Sequence, residues 1–367
     1  MQELEQNDPL ILFEESIKSN ATKNMYRFHL KKFFDFIHGQ DPFFENNPRA
    51  IEQKIIEFII SIKQKQKEGK GYFSIHNHIS PVLAFYKIND IVLNVSKIKR
   101  YFPSKKRANR DRAYTHEEIH KLLDIADERI RAVILILASS GMRIGAIPSL
   151  RLRNLEKVKL GYRYGYDQYI YKFIVYENDE EEYFTFCTPE CVAAIDLYLD
   201  FRKRYGEKLN QDSFLIREQF DIRDQFAIKK PISRPLQGAS LSFKIRDIAI
   251  RAGLRIQEEL DIKIPGSIRK EVPIAHGARK FFTTQLIESD LNTEKRWLLE
   301  GHNLKANDPA YAKITDKSLQ QEYEKAIDNL TINEENRLRK KVEVLQVEKS
   351  KLDDIRKELD LLKKRIK

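Results

Sequence analysis

The stretch PIAHGARKFF, at residues 273–282, places a histidine and an arginine three positions apart, at His276 and Arg279. If this stretch is a helix, both side chains lie on one face, because residues three apart are neighbours on a helix. Two cationic hydrogen-bond donors on one face are suited to binding an anion such as a phosphate. An ordinary pair within a buried helix is the alternative interpretation.

Two other segments carry residues of the same kind. In SSGMRIGAIPSL, Gly141 interrupts an apolar helical pattern just before Arg143, whose planar guanidinium could bind a phosphate or form a salt bridge at the helix end. In RWLLEGHNLKANDPAYAKI, His302 follows a glycine that ends an apolar helix. Tyr311 lies further on in a polar loop, where it is either a nucleophile or a residue that packs on the surface.

In this order and in these settings, the five residues resemble the tyrosine recombinase (phage integrase) family. The family has an arginine in a T/S-G-L/M-R element, then an H-x-x-R motif, then G-H, then a nucleophilic tyrosine; here these stand as SSGMR, HGAR, LLEGH and AYAK. The stretch from HGARKFF to EYEKAIDNLTI is similar to archaeal integrases, and SIHNHISPVLAFYKIND resembles the end of the family's N-terminal core-binding domain. The resemblance covers residues 10–332, approximately, and not the C-terminal tail.

The resemblance implies a mechanism in which Tyr311 attacks the scissile DNA phosphate and forms a 3′-phosphotyrosyl bond, releasing a 5′-hydroxyl. Arg143 and Arg279 would neutralise the non-bridging oxygens, His276 would help to remove the tyrosine proton, and His302 would hydrogen-bond the phosphate. Because the phosphotyrosyl bond retains the energy of the phosphodiester, joining needs no ATP. With two arginines supplying the positive charge, neither a metal nor another cofactor is expected.

The sequence departs from the family pattern at two positions. In the family, a lysine on a β-hairpin protonates the leaving 5′-oxygen, but the turn ENDEE at 177–181 is acidic. Lys172 in the preceding strand is therefore the candidate for this proton donor. The alternative is that Lys172 merely lies on the solvent-exposed face of the sheet. Ala146 stands where the family usually has a carboxylate. Tyr323 is a second possible nucleophile, but QQEYEKAIDNL reads as a helix that places it too far from His302.

Composition favours a nucleic-acid partner. The 367 residues include 66 Lys and Arg against 55 Asp and Glu, a formal net charge of +11, and the pI is about 9.3. The segment KIKRYFPSKKRANRDRAY contains Asp111 as its only acid, as expected for a strap across a phosphate backbone, although a merely solvated linker is the alternative. The DNA-binding candidates in it are Lys97, Lys99, Arg100, Lys105, Lys106, Arg107, Arg110 and Arg112.

The elements that must position these residues form two domains. Amphipathic helices with lysine-rich outer faces precede the basic segment, and Thr115 with Glu118 forms a capping box that begins a new domain. The expected fold is mainly α with a small β-sheet in the second domain, QYIYKFIVY and EYFTFC being the predicted strands. The predicted division is a helical core-binding domain at 1–99, a basic linker at 100–113, a catalytic domain at 114–332 and a C-terminal helical tail at 333–367. By the family resemblance, the two domains form a DNA clamp.

The tail repeats an apolar residue every seven positions, at Leu338, Leu345, Leu352, Leu359 and Ile366, which predicts a coiled coil or a long packed helix. Strand exchange requires four protomers on two DNA sites, so a homotetramer on double-stranded DNA is expected, and the tail is a candidate contact between protomers. Cys187 and Cys191 lack further metal ligands nearby and are interpreted as reduced thiols.

The first residues, MQELEQNDPL, lack the features of a signal peptide, and no apolar run is long enough to cross a bilayer, so a cytoplasmic protein without a membrane partner is expected. The leading functional hypothesis is a site-specific recombinase, an integrase of an archaeal mobile element. A non-enzymatic DNA-binding protein descended from a recombinase and a type IB topoisomerase-like enzyme are the alternatives.

Overall fold

The computed structural model describes eight ranges of the chain and seven further positions in the tail between 342 and 356. The ranges are 8–43, 47–64, 72–104, 111–161, 168–218, 233–255, 272–302 and 314–338. The chain divides into two compact units, one of residues 1–109 with 264–268 and the other of 110–263 with 269–367. Each unit has its own hydrophobic core.

The first unit is helical where the structure describes it. Its helices are α1 (Pro9–Glu15), α2 (Asn20–Phe36), α3 (Pro48–Gln64), α4 (Tyr72–Ile88) and α5 (Val95–Lys99). The apolar residues that recur at helical spacing in α3 are all buried, as their periodicity predicts. Phe33 of α2 packs edge-on against Phe58 of α3, with ring centroids 5.4 Å apart.

The start of the basic segment is helical. Lys97 and Lys99 belong to α5, which Asn94 caps by accepting a hydrogen bond from the Lys97 N–H at 3.0 Å. Ile98 is buried in the first core, and the Lys97 amino group lies 2.9 Å from a carboxylate oxygen of Glu52. The Asn94 cap and the burial of Ile98 both stabilise this turn of helix.

The second unit begins at the predicted capping box. The Thr115 hydroxyl accepts a hydrogen bond from the Glu118 N–H, and the Glu118 carboxylate accepts one from the Thr115 N–H. The helices that follow are α6 (His116–Ile125), α7 (Glu128–Ser140), α8 (Pro189–Arg204), α9 (Gly238–Arg251), α10 (Ile274–Glu288), α11 (Thr293–Leu299), α12 (Asp316–Glu324) and α13 (Ile327–Leu330). Among the helices that the structure describes, none is long and apolar enough to cross a bilayer.

The sheet of the second unit has three antiparallel strands in the order β1 (Leu155–Lys159), β2 (Tyr169–Val175) and β3 (Tyr183–Phe186). The two predicted strands correspond to β2 and β3. Strand β1 was not predicted, because its apolar residues Leu155 and Val158 are three positions apart and do not show the alternation of a strand. Two short 3-10 helices, Ile144–Ser149 and Leu152–Asn154, connect α7 to this sheet.

Tyr323 on α12 is part of the core. Its side chain is fully buried, and its hydroxyl donates a hydrogen bond to the backbone oxygen of Ser139 at 2.8 Å. This phenol therefore ties α12 to the end of α7, and the structure supports the prediction that Tyr323 lies on a helix.

The two cysteines lie in the second core. Cys187 and Cys191 are both buried and unbridged. Burial raises the pKa of the Cys191 thiol well above its usual value. Both features fit buried, inert thiols rather than a reactive pair.

Glu322 ties α12 to the start of α11. Its carboxylate accepts hydrogen bonds from the Asn292 N–H at 3.0 Å, from Lys295 at 3.1 Å and from Lys325 at 2.7 Å. Burial alone would raise the pKa of this carboxyl, but the three hydrogen bonds outweigh burial and lower the pKa to about 2. The folded protein therefore favours the ionised form.

Because the folded-state pKa of Glu322 lies below its unfolded value, the stabilisation is present above the unfolded pKa and is lost as pH falls towards 2. We expect Glu322→Gln to lower the free energy of unfolding by about 2 kcal/mol near neutral pH. Urea denaturation of both proteins between pH 7 and pH 3 measures the gap, which should narrow below about pH 4.5. A gap that stays constant across this range would contradict the assignment.

The tail continues as helix at the positions that the structure describes. Residues 334–338 are helical, as are the described positions beyond them. Leu338, Leu345 and Leu352 of the predicted heptads are 55%, 63% and 59% exposed. Leu359 and Ile366 lie outside the described residues, and the coiled coil stays a prediction.

Candidate active site

Gly141 ends helix α7 and determines where Arg143 emerges. Its φ of +65° is in the left-handed region, and its N–H donates a hydrogen bond to the Leu137 backbone oxygen at 3.2 Å. Arg143 follows immediately before the 3-10 helix Ile144–Ser149, with its side chain exposed. The prediction that the glycine breaks the helix just before the arginine is confirmed.

Gly141 also lies against α10, since a Cβ at this position would be 2.1 Å from Cδ1 of Phe282. We expect Gly141→Ala to lower the free energy of unfolding by about 2–4 kcal/mol, because a left-handed backbone and an overpacked contact both add cost. Urea denaturation measures the change. Gly206→Ala is the control, because Gly206 has a φ of +90° but open space around it. Equal losses of unfolding free energy in the two variants would show that the close contact with Phe282 adds no cost of its own.

The two residues of the H-x-x-R motif lie in the first part of α10. His276 is exposed, whereas Arg279 is 8% exposed. Arg279 donates hydrogen bonds from Nη1 to the Gly141 backbone oxygen at 2.6 Å and from Nη2 to the Glu300 backbone oxygen. Burial lowers the pKa of the Arg279 guanidinium, and the charge of Arg143 lowers it further, while Tyr183 and Glu300 oppose the change. Arg279 thus joins the ends of α7 and α11.

His302 follows the glycine that ends α11. Gly301 has a φ of +67°, and a Cβ there would lie 2.6 Å from the ring of Tyr183. Nε2 of His302 lies 3.5 Å from Nη2 of Arg279 and 3.3 Å from Oε2 of Glu300. The close packing of Gly301 on Tyr183 therefore places the imidazole beside the buried arginine.

Four of the six predicted catalytic residues line one cleft of about 580 Å³ in the second unit. They are Arg143, His276, Arg279 and His302, which come from the end of α7, from α10 and from the residue pair after α11. Two guanidinium groups and two imidazoles around one cleft are suited to binding a phosphate, since each arginine can donate two charge-assisted hydrogen bonds.

The cleft has further polar residues. Arg112, a predicted DNA-binding residue, lines it together with Asp111 from the segment before α6. Lys280, Thr283 and Thr284, which were not among the predicted site residues, line it from α10. The Lys280 amino group lies 2.7 Å from a carboxylate oxygen of Asp111. Helical spacing from His276 places Lys280 four positions on and Thr283 seven positions on, so the period of the helix could have identified both.

Two tyrosines that flank the turn between β2 and β3 interact electrostatically with Arg143 and Arg279. The rings of Tyr176 and Tyr183 are 6.3 Å apart, and Tyr176 has a left-handed φ of +58°, which few residues other than glycine adopt. Burial raises the pKa of both phenols, that of Tyr183 to about 12, while the charges of Arg143 and Arg279 oppose the shift. In the sequence, the aromatic residues on either side of the acidic turn could have indicated these two positions.

Lys172 is not among the residues that line the cleft. Its amino group lies 2.5 Å from Asp316 and 3.3 Å from Glu156, and its side chain is 13% exposed. Burial alone would lower the pKa of this amino group, but hydrogen bonds with Asp316 and Glu156 outweigh burial and raise it. The structure thus holds Lys172 between two carboxylates, and its role as the general acid stays a prediction.

The remaining predicted residues are only partly described. Tyr311 and the basic residues Lys105, Lys106, Arg107 and Arg110 lie outside the described residues. Lys99 and Arg100 are exposed. The Arg112 guanidinium contacts both carboxylate oxygens of Glu118, at 2.8 and 2.7 Å.

Two curated relatives are tyrosine recombinases. The chain is 25% identical over 195 residues to tyrosine recombinase XerC of Leptospira interrogans, a match that covers 50% of this chain and 57% of the relative. The chain therefore matches little more than half the length of that relative. It is 21% identical over 317 residues to tyrosine recombinase XerA of the archaeon Pyrococcus horikoshii, covering 84% of this chain and 88% of the relative. No family model matches the chain.

Solved structures of recombinases share the fold. The structure of XerH site-specific recombinase bound to its difH substrate is 16% identical in sequence, covers 77% of this chain and 73% of that chain, and has a TM-score of 0.53. Phage and transposon integrases match with TM-scores of 0.51. The mainly helical fold with a small antiparallel sheet is therefore shared with them, and in sequence the chain is similar to the tyrosine recombinases XerC and XerA.

Proposed function

We propose that the protein is a site-specific DNA recombinase that cleaves and rejoins double-stranded DNA through a 3′-phosphotyrosyl intermediate. The observation that carries this proposal is the convergence of Arg143, His276, Arg279 and His302 on one cleft. The similarity to XerC and XerA supports it, as does the solved complex of XerH with DNA after cleavage.

In the proposed reaction, the Tyr311 phenolate oxygen attacks the scissile phosphorus, and the bond from phosphorus to the 5′-oxygen breaks. Arg143 and Arg279 bind the non-bridging oxygens, whose negative charge increases in the transition state. His276 accepts the tyrosine proton and His302 donates a hydrogen bond to the phosphate. Attack by a 5′-hydroxyl on the phosphotyrosyl bond then rejoins the strand and releases Tyr311.

Lys172 stays our candidate for protonating the leaving 5′-oxygen. In the structure its amino group is bound by Asp316 and Glu156. For Lys172 to act on the leaving group, DNA must replace these two carboxylates. Asp316 lies five residues after Tyr311 in the chain, so the ion pair attaches the segment that follows the nucleophile to strand β2.

The DNA contacts of the proposal come from the cleft and from the basic segment before α6. We propose that the segment from Lys97 to Arg112 contacts the phosphate backbone. Lys99 and Arg100 are exposed and can make such contacts. A tetramer on two DNA sites is the proposed active assembly, and an integrated mobile element is the proposed biological setting. The N-terminal helical unit would correspond to the core-binding domain.

A nicked duplex tests the proposal. DNA from the ends of the mobile element is nicked a few bases from the candidate cleavage site, so that cleavage releases a short fragment and traps the protein. The recombinase is expected to form a covalent adduct that survives denaturation. An absence of adduct on every end sequence that the protein binds would contradict the proposal.

A non-enzymatic DNA-binding protein is the second candidate. The observations that favour it are the binding of Lys172 by two carboxylates and the buried Ala146 at a position where the family usually has a carboxylate. It predicts salt-sensitive binding to the nicked duplex without an adduct. A type IB topoisomerase-like enzyme would instead relax supercoiled plasmids that lack the element's end sequences.

A further inference from the structure

The face of α10 that lines the cleft is polar over two helical turns. Its members, all of which line the cleft, are His276, Arg279, Lys280, Thr283 and Thr284. Their spacing of i, i+3, i+4, i+7 and i+8 is that of a single helical face, which in a globular protein is usually the apolar face. The apolar residues of α10 that pack in the second core are at other positions, namely Ala278, Phe281, Phe282 and Leu286. The helix is thus anchored by one face and presents a second, polar face to the cleft.

This polar face is longer than one phosphate group requires. At 1.5 Å per residue, positions 276–284 extend over about 12 Å. In the proposed mechanism, His276 and Arg279 bind the scissile phosphate at the start of this length. Successive phosphates of one DNA strand advance by about 3.4 Å along the duplex axis, so a neighbouring phosphate is within reach of the second turn. Lysine and threonine, the residue types of this second turn, are among those that contact DNA phosphates.

Lys280 supplies the positive charge of the second turn. Its amino group lies 2.7 Å from a carboxylate oxygen of Asp111 and donates a hydrogen bond to the Asp111 backbone oxygen at 2.9 Å. The Lys280 side chain is 28% exposed and lines the cleft. The ammonium group is therefore presented to the cleft with an anionic oxygen already bound to it.

Asp111 is the one acid in the basic segment KIKRYFPSKKRANRDRAY. Its negative charge opposes the approach of DNA to the cleft. A carboxylate oxygen nevertheless occupies an ammonium group as a phosphate oxygen would, because both accept charge-assisted hydrogen bonds. A partly exposed ion pair adds little to folding stability, so a DNA phosphate can replace the carboxylate at small cost.

We propose that Lys280, with Thr283 and Thr284, forms a second phosphate subsite that binds a backbone phosphate next to the scissile one, and that Asp111 occupies Lys280 until DNA displaces it. This inference rests on the proposed recombinase function and deepens it, because it names the residues that hold the strand beside the scissile bond. An ion pair that only attached the segment before α6 to α10 would predict similar effects of removing either partner. The subsite predicts opposite effects on the affinity for DNA.

Lys280→Met and Asp111→Asn distinguish these two interpretations in DNA-binding titrations at several salt concentrations. Lys280→Met should weaken binding about tenfold and reduce the slope of log Kd against log salt concentration by about 0.9, the value of one phosphate contact. Asp111→Asn should tighten binding about twofold to fivefold with an unchanged slope, because the amino group no longer has to be released. Weaker binding in both variants, or an unchanged slope in Lys280→Met, would overturn the proposal.

Lys203 and Asp200 of α8 provide the matched controls. Their ion pair measures 3.2 Å, and neither residue lines the cleft. Lys203→Met and Asp200→Asn change the same charges as the two test variants, and both should bind DNA as the wild type does. If Asp200→Asn tightens binding as much as Asp111→Asn, net charge alone explains the gain and the proposal fails. Lys280→Arg, which keeps the charge, should keep the wild-type slope.

A measurement on the wild-type protein decides the matter if a variant does not fold. A neutral methylphosphonate replaces one phosphate at a time on either side of the candidate cleavage site. The wild type should lose about tenfold in affinity at a phosphate next to the scissile one. Lys280→Met should lose little more at that position. A wild-type protein that is insensitive at both neighbouring phosphates would overturn the proposal.

These titrations measure binding and do not depend on cleavage. A protein that forms no covalent adduct but shows the expected change of slope would contradict the recombinase function and retain the second phosphate contact. A protein that forms the adduct but shows no change of slope in Lys280→Met would contradict the subsite alone.

Discussion

Replacing Tyr311 by phenylalanine is expected to abolish the covalent adduct with the nicked duplex, while the affinity for DNA stays within a factor of about two. The reason is that phenylalanine lacks the oxygen that must bond to phosphorus, and no other residue can take over a bond that requires an in-line attack. Electrophoresis of end-labelled DNA under denaturing conditions measures the adduct, and a filter-binding titration measures the affinity.

Tyr323→Phe is the matched control for this experiment. The hydroxyl of Tyr323 is buried and donates to the Ser139 backbone oxygen. Its removal should leave adduct formation intact and lower the free energy of unfolding by about 1 kcal/mol. An adduct in Tyr311→Phe, or its loss in a folded Tyr323→Phe, would show that Tyr311 is not the nucleophile.

Arg143→Ala is expected to slow single-turnover cleavage by about a hundredfold to a thousandfold, because a donor to the developing oxyanion is removed. The variant should fold normally, since the Arg143 side chain is exposed. Arg143→Lys keeps the charge but not the planar pair of donors, and its rate should lie between those of Arg143→Ala and the wild type. Rapid-quench measurement of the adduct over time provides the rates.

Arg204→Ala is the control for Arg143→Ala, because Arg204 is an exposed arginine of α8 that does not line the cleft. Its cleavage rate should remain within about twofold of the wild type. If Arg143→Ala and Arg204→Ala cleave at the same rate, the cleft does not bind the scissile phosphate through Arg143.

The local features of the fold and of the site could be predicted from the sequence because short-range patterns determine them. A capping box at Thr115 and Glu118 marks a helix start, and Gly141 marks a helix end wherever the chain folds. Helical spacing likewise placed His276 and Arg279 on α10. Which of the two is buried depends on contacts of Arg279 with Gly141 and Glu300, from distant parts of the chain.

Features that depend on distant residues could not be predicted. Lys172 reads as a lysine on a strand, and its two partners are supplied by β1 and by α12, the latter 144 residues away in sequence. The burial of Glu300 could not be predicted either. Only the fold brings its carboxylate close to His302 and its backbone oxygen to Arg279. Strand β1 owes its conformation to pairing with β2 rather than to its own pattern.

A crystal structure of the protein trapped on the nicked duplex tests most directly whether these side chains act on one phosphate. We predict a phosphorus atom bonded to the Tyr311 oxygen, with Arg143 and Arg279 each donating to a non-bridging oxygen at about 2.7–2.9 Å and His302 within hydrogen-bonding distance. A trapped phosphate bonded to another residue, or one that neither arginine contacts, would contradict the account.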